Sequence, residues 1–166
     1  MKNILKIDGK FKFFTFIINL LIPFIGFFII SILIKDNINI YKELQKPSFF
    51  PPFWIPLVIW GVIYVLSGIA VYRIKIIKKF DGRRNGSVFF YSLQLILNLL
   101  WPVIFFSLRL YGIAWIDLIL IILILIVTII KFFKIDKVSV ILLVPYILWS
   151  GIFLYLNIVI WMLNEM

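Results

Sequence analysis

Residues 110–130 read LYGIAWIDLILIILILIVTII, a run carrying one charge, Asp117, and no proline. A helix rises 1.5 Å per residue, and about 20 apolar residues cross a hydrocarbon core of about 30 Å. Lipid offers no partners for backbone N–H and C=O groups, so such a run must be helical. Working outward from it, four more runs of the same kind occur: Phe13–Ile34, Phe53–Tyr72, Ser87–Leu108 and Val138–Leu163. The pattern predicts an all-α membrane protein, a five-transmembrane-helix bundle forming one domain over residues 1–166. The first run is too long for the core of a secretory leader, and no small-residue cleavage pattern follows Ser31–Ile34, so it is expected to stay as a span.

Composition agrees. The chain is 64% hydrophobic and 19% aromatic, with a mean hydropathy of +1.17, more apolar surface than a soluble domain of 166 residues could cover. Neither cysteine nor histidine is present, which excludes disulfides, the usual zinc and iron–sulfur sites, histidine-ligated haem and histidine acid–base chemistry. A net charge of +10 would suggest nucleic acid in a soluble protein, so its placement matters.

Most of the basic residues fall on one side of the predicted spans. The N-terminal tail has Lys2, Lys6, Lys10 and Lys12, the second loop Arg73, Lys75, Lys78, Lys79, Arg83 and Arg84, and the fourth Lys131, Lys134 and Lys137. The other side has Lys35, Lys42, Lys46 and Arg109. The positive-inside rule then predicts a cell-membrane protein with its N-terminus in the cytoplasm and its C-terminus outside. The charge is topological, and nucleic acid is not an expected partner.

Most connections are short. Asp81-Gly82 and Asn85-Gly86 read as turns between the second and third spans, and Arg109–Gly112 as a tight hairpin between the third and fourth. The exception is residues 35–52, whose length suits a lid. It ends in Lys46-Pro47-Ser48-Phe49-Phe50-Pro51-Pro52-Phe53-Trp54, where the prolines forbid a helix and hold aromatic side chains on a stiff segment at the edge of a span.

Pro23, Pro56, Pro102 and Pro145 lie in or near spans, where each frees a carbonyl and can open a kink. Tyr41, Trp54, Tyr72, Tyr111, Trp115 and Trp161 fall near membrane interfaces and read as anchors. Trp60, Trp101 and Trp149 are deeper, and an indole N–H in hydrocarbon requires an acceptor, so these should face helices or a cavity. Gln94, Asn98 and Trp101 share one helix face, and Pro145, Trp149 and Asn157 another. Gln94 and Asn157 suit interhelical hydrogen bonding; Asn98 suits that or a cavity equally. Trp60, Asn98, Trp101 and Asp117 all fall beneath the long connection, and an intramembrane Asp is a functional candidate by default. Leu66, Tyr72 and Lys75 fit a loose sterol-contact pattern of little specificity, and Gly82 to Gly86 is expected in a basic loop, where it cannot be a membrane packing motif.

Several ordered motifs resemble those of the TspO/MBR family, the tryptophan-rich sensory proteins or translocator proteins. They are Tyr41-Lys42-Glu43-Leu44-Gln45-Lys46-Pro47-Ser48 with Pro51-Pro52, then Trp60, Tyr64 and Gly68-Ile69-Ala70, then Gln94 to Trp101 with Phe105-Phe106, Asp117, and Leu142 to Trp149 with Asn157 and Asn164. Ile40 and Phe49 stand where the family usually has tryptophan, and no basic residue follows Tyr155 to complete the sterol motif of animal members.

The resemblance implies a five-helix bundle, usually a homodimer, with a pocket capped by the first loop that binds a porphyrin or related tetrapyrrole. Trp60 and Trp149 would stack on the macrocycle, Asn98 would hydrogen-bond it, Tyr41 and Pro51 would form the underside of the lid, and Lys46 would meet a propionate or stay solvated. Trp101 and Asp117 complete the candidate ligand set. No metal and no resident cofactor are expected, and metal-free porphyrin suits a histidine-free pocket. The expected role is a sensor or regulator of porphyrin or stress response. Light-dependent porphyrin degradation, with Trp60 and Trp149 as the catalytic donors, and small-molecule transport are the alternatives; an odd helix number without visible halves argues against inverted-repeat transport.

Overall fold

A computed structural model describes residues 4–7, 10–37, 39–47, 49–77 and 81–166. Lys2, Ser48, Lys78 and Lys79 lie outside these residues. Long helices form where the apolar runs are: α1 (Phe13–Ile34), α3 (Trp54–Ile76), α4 (Asp81–Pro102), α5 (Tyr111–Phe133) and α6 (Lys137–Asn164), with a short α2 (Ile40–Glu43) inside the long connection. The described residues contain no strand, and five helices are long and apolar enough to cross a membrane. This is a multi-pass, all-helical membrane protein. Around the bundle the neighbours run α1, α3, α6, α5, α4 and back to α1.

Two expectations about boundaries fail. Asn85-Gly86 does not break a helix, because α4 starts at Asp81 and runs through both turn dipeptides. Glycine in a helix costs only about 1 kcal/mol, and the Ser87 hydroxyl donates to Arg83 O at 2.9 Å within this first stretch. Nor are Tyr72 and Tyr111 lipid-facing anchors, since both are buried. The Tyr72 hydroxyl donates to Leu5 O and accepts from Lys12 N–H, each at 3.2 Å, fastening the N-terminal segment to α3. The loose sterol pattern through Tyr72 therefore does not face lipid.

Packing is closest where side chains are smallest. A Cβ on Gly68 would sit 2.9 Å from Asn19 O and 3.2 Å from Leu20 Cα, so glycine lets α3 lie against the backbone of α1. At the basic end, Asp136 caps α6 by accepting from Ser139 N–H at 3.0 Å, a favoured N-cap arrangement. Its carboxylate also receives Arg73 Nε at 2.7 Å and Nη2 at 3.0 Å, joining the end of α3 to the start of α6. Arg73 is thus a structural cation. At the opposite end Glu165 accepts from the N–H groups of Tyr111 and Gly112 at 2.8 and 2.9 Å, capping α5 from α6.

The interior divides in two. One apolar cluster fills the middle and basic end around Ile63, Leu118, Ile121, Leu125 and Leu143. The other, at the lid end, brings Ile40 and Leu44 of the connection against Ile34, Phe105, Phe106, Ala114 and Ile160. The connection is docked by these two side chains. Between the clusters lies a cavity.

A candidate ligand cavity beneath the long connection

Pro102 starts the local geometry on α4. Its ring cannot continue the regular hydrogen-bond ladder, and the chain rewinds as a π-helical stretch over Val103–Ser107, with Leu108 N–H donating to Val103 O at 3.0 Å. The wider turn brings the adjacent Phe105 and Phe106 both into the interior. Arg109 then takes a left-handed conformation (φ 57°) to reverse the chain into α5. Where a kink was expected at Pro102 the helix passes into this π-helical stretch, and Pro102 and Pro56 both reach the cavity wall.

The roof comes from the connection. Tyr41 on α2 donates its hydroxyl to Pro51 O at 2.9 Å, closing the proline segment over the bundle. Its ring centroid lies 5.0 Å from that of Phe53 and 6.0 Å from that of Phe50. Lys46 folds over the same ring, with Nζ 4.1 Å from the centroid, and donates to Tyr41 O. This cation–π and hydrogen-bonded position holds the lysine on the roof. Burial raises the Tyr41 phenol above its ordinary pKa, so it remains a donor throughout the physiological range.

Trp60, Tyr64, Asn98 and Trp101 form the deeper wall with Phe27 and Ile30 of α1 and Phe153, Leu156 and Asn157 of α6. Trp101 donates Nε1–H to Asn157 Oδ1 at 3.2 Å, and its ring lies 4.8 Å from Phe105, stacked, and 4.7 Å from Phe153, edge-on. Trp60 meets Tyr146 and Phe153 edge-on at 5.6 and 5.7 Å. Asn98 Oδ1 is taken by the Tyr64 hydroxyl at 2.7 Å, so what this side chain offers the cavity is its amide N–H. The result is an apolar, aromatic chamber with a few fixed polar groups, the usual make-up of a small-molecule site. The cavity has a volume of about 110 Å³.

Of the candidate residues, Tyr41, Trp60, Asn98 and Trp101 line this cavity. Pro51 stands one step back and contributes through its carbonyl. Trp149 lies behind the wall, stacked on Phe153 at 5.9 Å, and its buried Nε1–H has no partner among the described residues. Asp117 is also behind the wall, buried beside the lining residue Leu118, with Oδ2 unpartnered. Ile40 and Phe49, the two positions where the resemblance led to an expectation of tryptophan, are both off the wall: Ile40 packs into the lid-end core and Phe49 stacks on Tyr155 at 6.3 Å.

Tyr64, Phe153 and the α1 residues were not among the candidates. Phe153 sits four residues after Trp149 and four before Asn157, so helical spacing could have found it. The α1 contribution had no signal in an almost uniformly apolar run. Among the described residues no group of three His, Cys, Asp or Glu is placed to hold a metal.

Comparison with known proteins places this architecture. The family model described as TspO/MBR family matches residues 18–162. The chain is 32% identical to a human protein named translocator protein over 147 residues, 87% of each chain. It is 32% identical to the protein CrtK of Rhodobacter capsulatus and 31% identical to a tryptophan-rich protein TspO of Chlorobaculum tepidum, each over 124 residues, 75% of this chain and 78% of the relative.

Proposed function

The chain belongs to the TspO/MBR family, and on that premise we propose that it is a membrane receptor for a porphyrin or related tetrapyrrole, acting as a sensor or regulator, with the ligand held under the long connection. The observation that carries this reading is the chamber's lining: aromatic faces from α1, α3, α4 and α6 and from the roof, with the Asn98 amide as donor. Flat apolar faces suit stacking of a macrocycle, and one or two fixed polar groups set its orientation.

The closed chamber is small for such a ligand, since pockets for drug-sized molecules run to about 300–1,000 Å³. Entry therefore requires the connection to lift and Phe50, Phe53 and Trp101 to turn. Lys46 then has a second use: leaving the Tyr41 ring, its ammonium can meet a carboxylate at the chamber mouth. The receptor is proposed to work as a homodimer in the bilayer.

Protoporphyrin titrated into purified protein tests the reading. Saturable quenching of tryptophan fluorescence, weakened by Trp60→Phe or Trp101→Phe, with a porphyrin spectrum unchanged under light, is the expected result. Light-driven loss of the spectrum that depends on Trp60 would replace the receptor reading with a photochemical one. Absence of quenching would remove both.

A further inference from the structure

At the opposite end from the lid, an open groove of about 560 Å³ is lined by Lys75 of α3 and Arg84, Asn85, Val88 and Phe89 of α4. A lysine at a helix end ordinarily snorkels into water. Lys75 does not. Its Nζ is held by Asn19 Oδ1 at 2.6 Å, and Asn19 is itself buried on α1, its amide oriented by donation to Thr15 O at 2.6 Å. A buried asparagine thus fixes an ammonium in the groove, using one of its three N–H donors. The other polar lining groups, a guanidinium and a carboxamide, also carry N–H donors.

The groove also has an apolar exit. Val88 and Phe89 form its flank, and Phe89, Ile96 and Leu100 are all exposed on α4 at a spacing that puts them on one helix face. A cationic pocket at the bilayer edge that continues into an apolar stripe matches an amphiphile with an anionic head and an acyl chain. We propose that this groove is a binding site for an anionic phospholipid, with the phosphate at Lys75 and Arg84 and a chain along Phe89, Ile96 and Leu100. Basic pockets between membrane helices recognise phosphate head groups by this chemistry.

The test is native mass spectrometry of the full chain released from vesicles containing equal amounts of phosphatidylglycerol and phosphatidylcholine. The wild-type chain should retain phosphatidylglycerol preferentially. Lys75→Gln should lower that retention about fivefold, the effect of one basic group at an anionic surface, and Lys75→Arg should restore it. Lys134→Gln removes the same charge outside the groove and should leave retention unchanged; circular dichroism of each variant checks that it folds. Equal retention of both lipids, an effect of Lys134→Gln as large as that of Lys75→Gln, or displacement of the lipid by millimolar inorganic phosphate would overturn the proposal, the last by making the groove a free-phosphate site.

Discussion

Asn164 holds the backbone of Gln45 from both sides: Gln45 N–H donates to Asn164 Oδ1 at 2.9 Å, and Asn164 Nδ2 donates to Gln45 O at 3.1 Å. The residues are 119 positions apart, so the last turn of α6 is stitched to the middle of the connection that roofs the chamber. The neighbouring Glu165 caps α5, which keeps this stitch on a fixed support. Two hydrogen bonds at an exposed edge contribute about 1–2 kcal/mol together.

Asn164→Ala should therefore make the roof open more readily, by about tenfold on that energy. Stopped-flow mixing with protoporphyrin should give faster association and faster release, with equilibrium affinity nearly unchanged. An unaltered rate in both directions would mean that the roof is not the entry route.

Tyr64→Phe should be more damaging than its size suggests. It leaves the buried Asn98 Oδ1 without the phenol, and an unpaired buried acceptor costs about 1–3 kcal/mol. Thermal unfolding in detergent should register the loss, while Asn98→Leu combined with Tyr64→Phe should recover part of it by removing both partners.

Gly68→Ala tests the helix contact beneath the chamber. The added methyl would fall 2.9 Å from the backbone oxygen of Asn19, and backbone cannot turn aside as a side chain can. Destabilisation of about 1–3 kcal/mol is expected from such overpacking, read as a lower unfolding temperature.

The Asp136 carboxyl sets a pH dependence. Burial raises its pKa, but hydrogen bonds and charge from Arg73 together with the Ser139 donors outweigh this and hold it below the ordinary value. A depressed folded-state pKa contributes stability that is present above the unfolded value of about 3.9 and lost as pH falls through the folded value. The unfolding temperature should fall as pH drops below about 4, and Asp136→Asn should flatten that part of the profile at a lower overall stability.

The charge asymmetry predicts orientation, and a chain with no cysteine allows a clean check. In intact cells Glu43→Cys should react with a membrane-impermeant maleimide, whereas Lys134→Cys should react only after permeabilisation. The reverse pattern would invert the assigned topology.

The five spans were legible because lipid leaves a backbone no choice but a helix, and their length is set by bilayer thickness. The chamber was legible in part. Trp60, Asn98 and Trp101 are exceptions in an apolar background, and exceptions can be located by helical phase. Trp149 has the same character and the phase of Asn157, yet Phe153 stands between it and the cavity; periodicity gives the face of a helix but not which residue on that face comes first. The π turn after Pro102 was not legible beyond the proline, because a kink's form depends on what packs around it. Lys75 was read as one positive charge among many and as the end of a loose sterol pattern, and only the position of Asn19 across the helix interface distinguishes it.

The central claim, a tetrapyrrole in the chamber under the connection, is tested most directly by filling that chamber. Ser31 of α1 lines it, and Ser31→Trp would put an indole in the space the ligand needs. Protoporphyrin titrated into wild-type and Ser31→Trp protein in lipid nanodiscs should bind the former saturably, one per chain, and the latter hardly at all, with the two proteins unfolding at similar temperatures. Equal binding by the filled protein would place the ligand elsewhere and contradict the account.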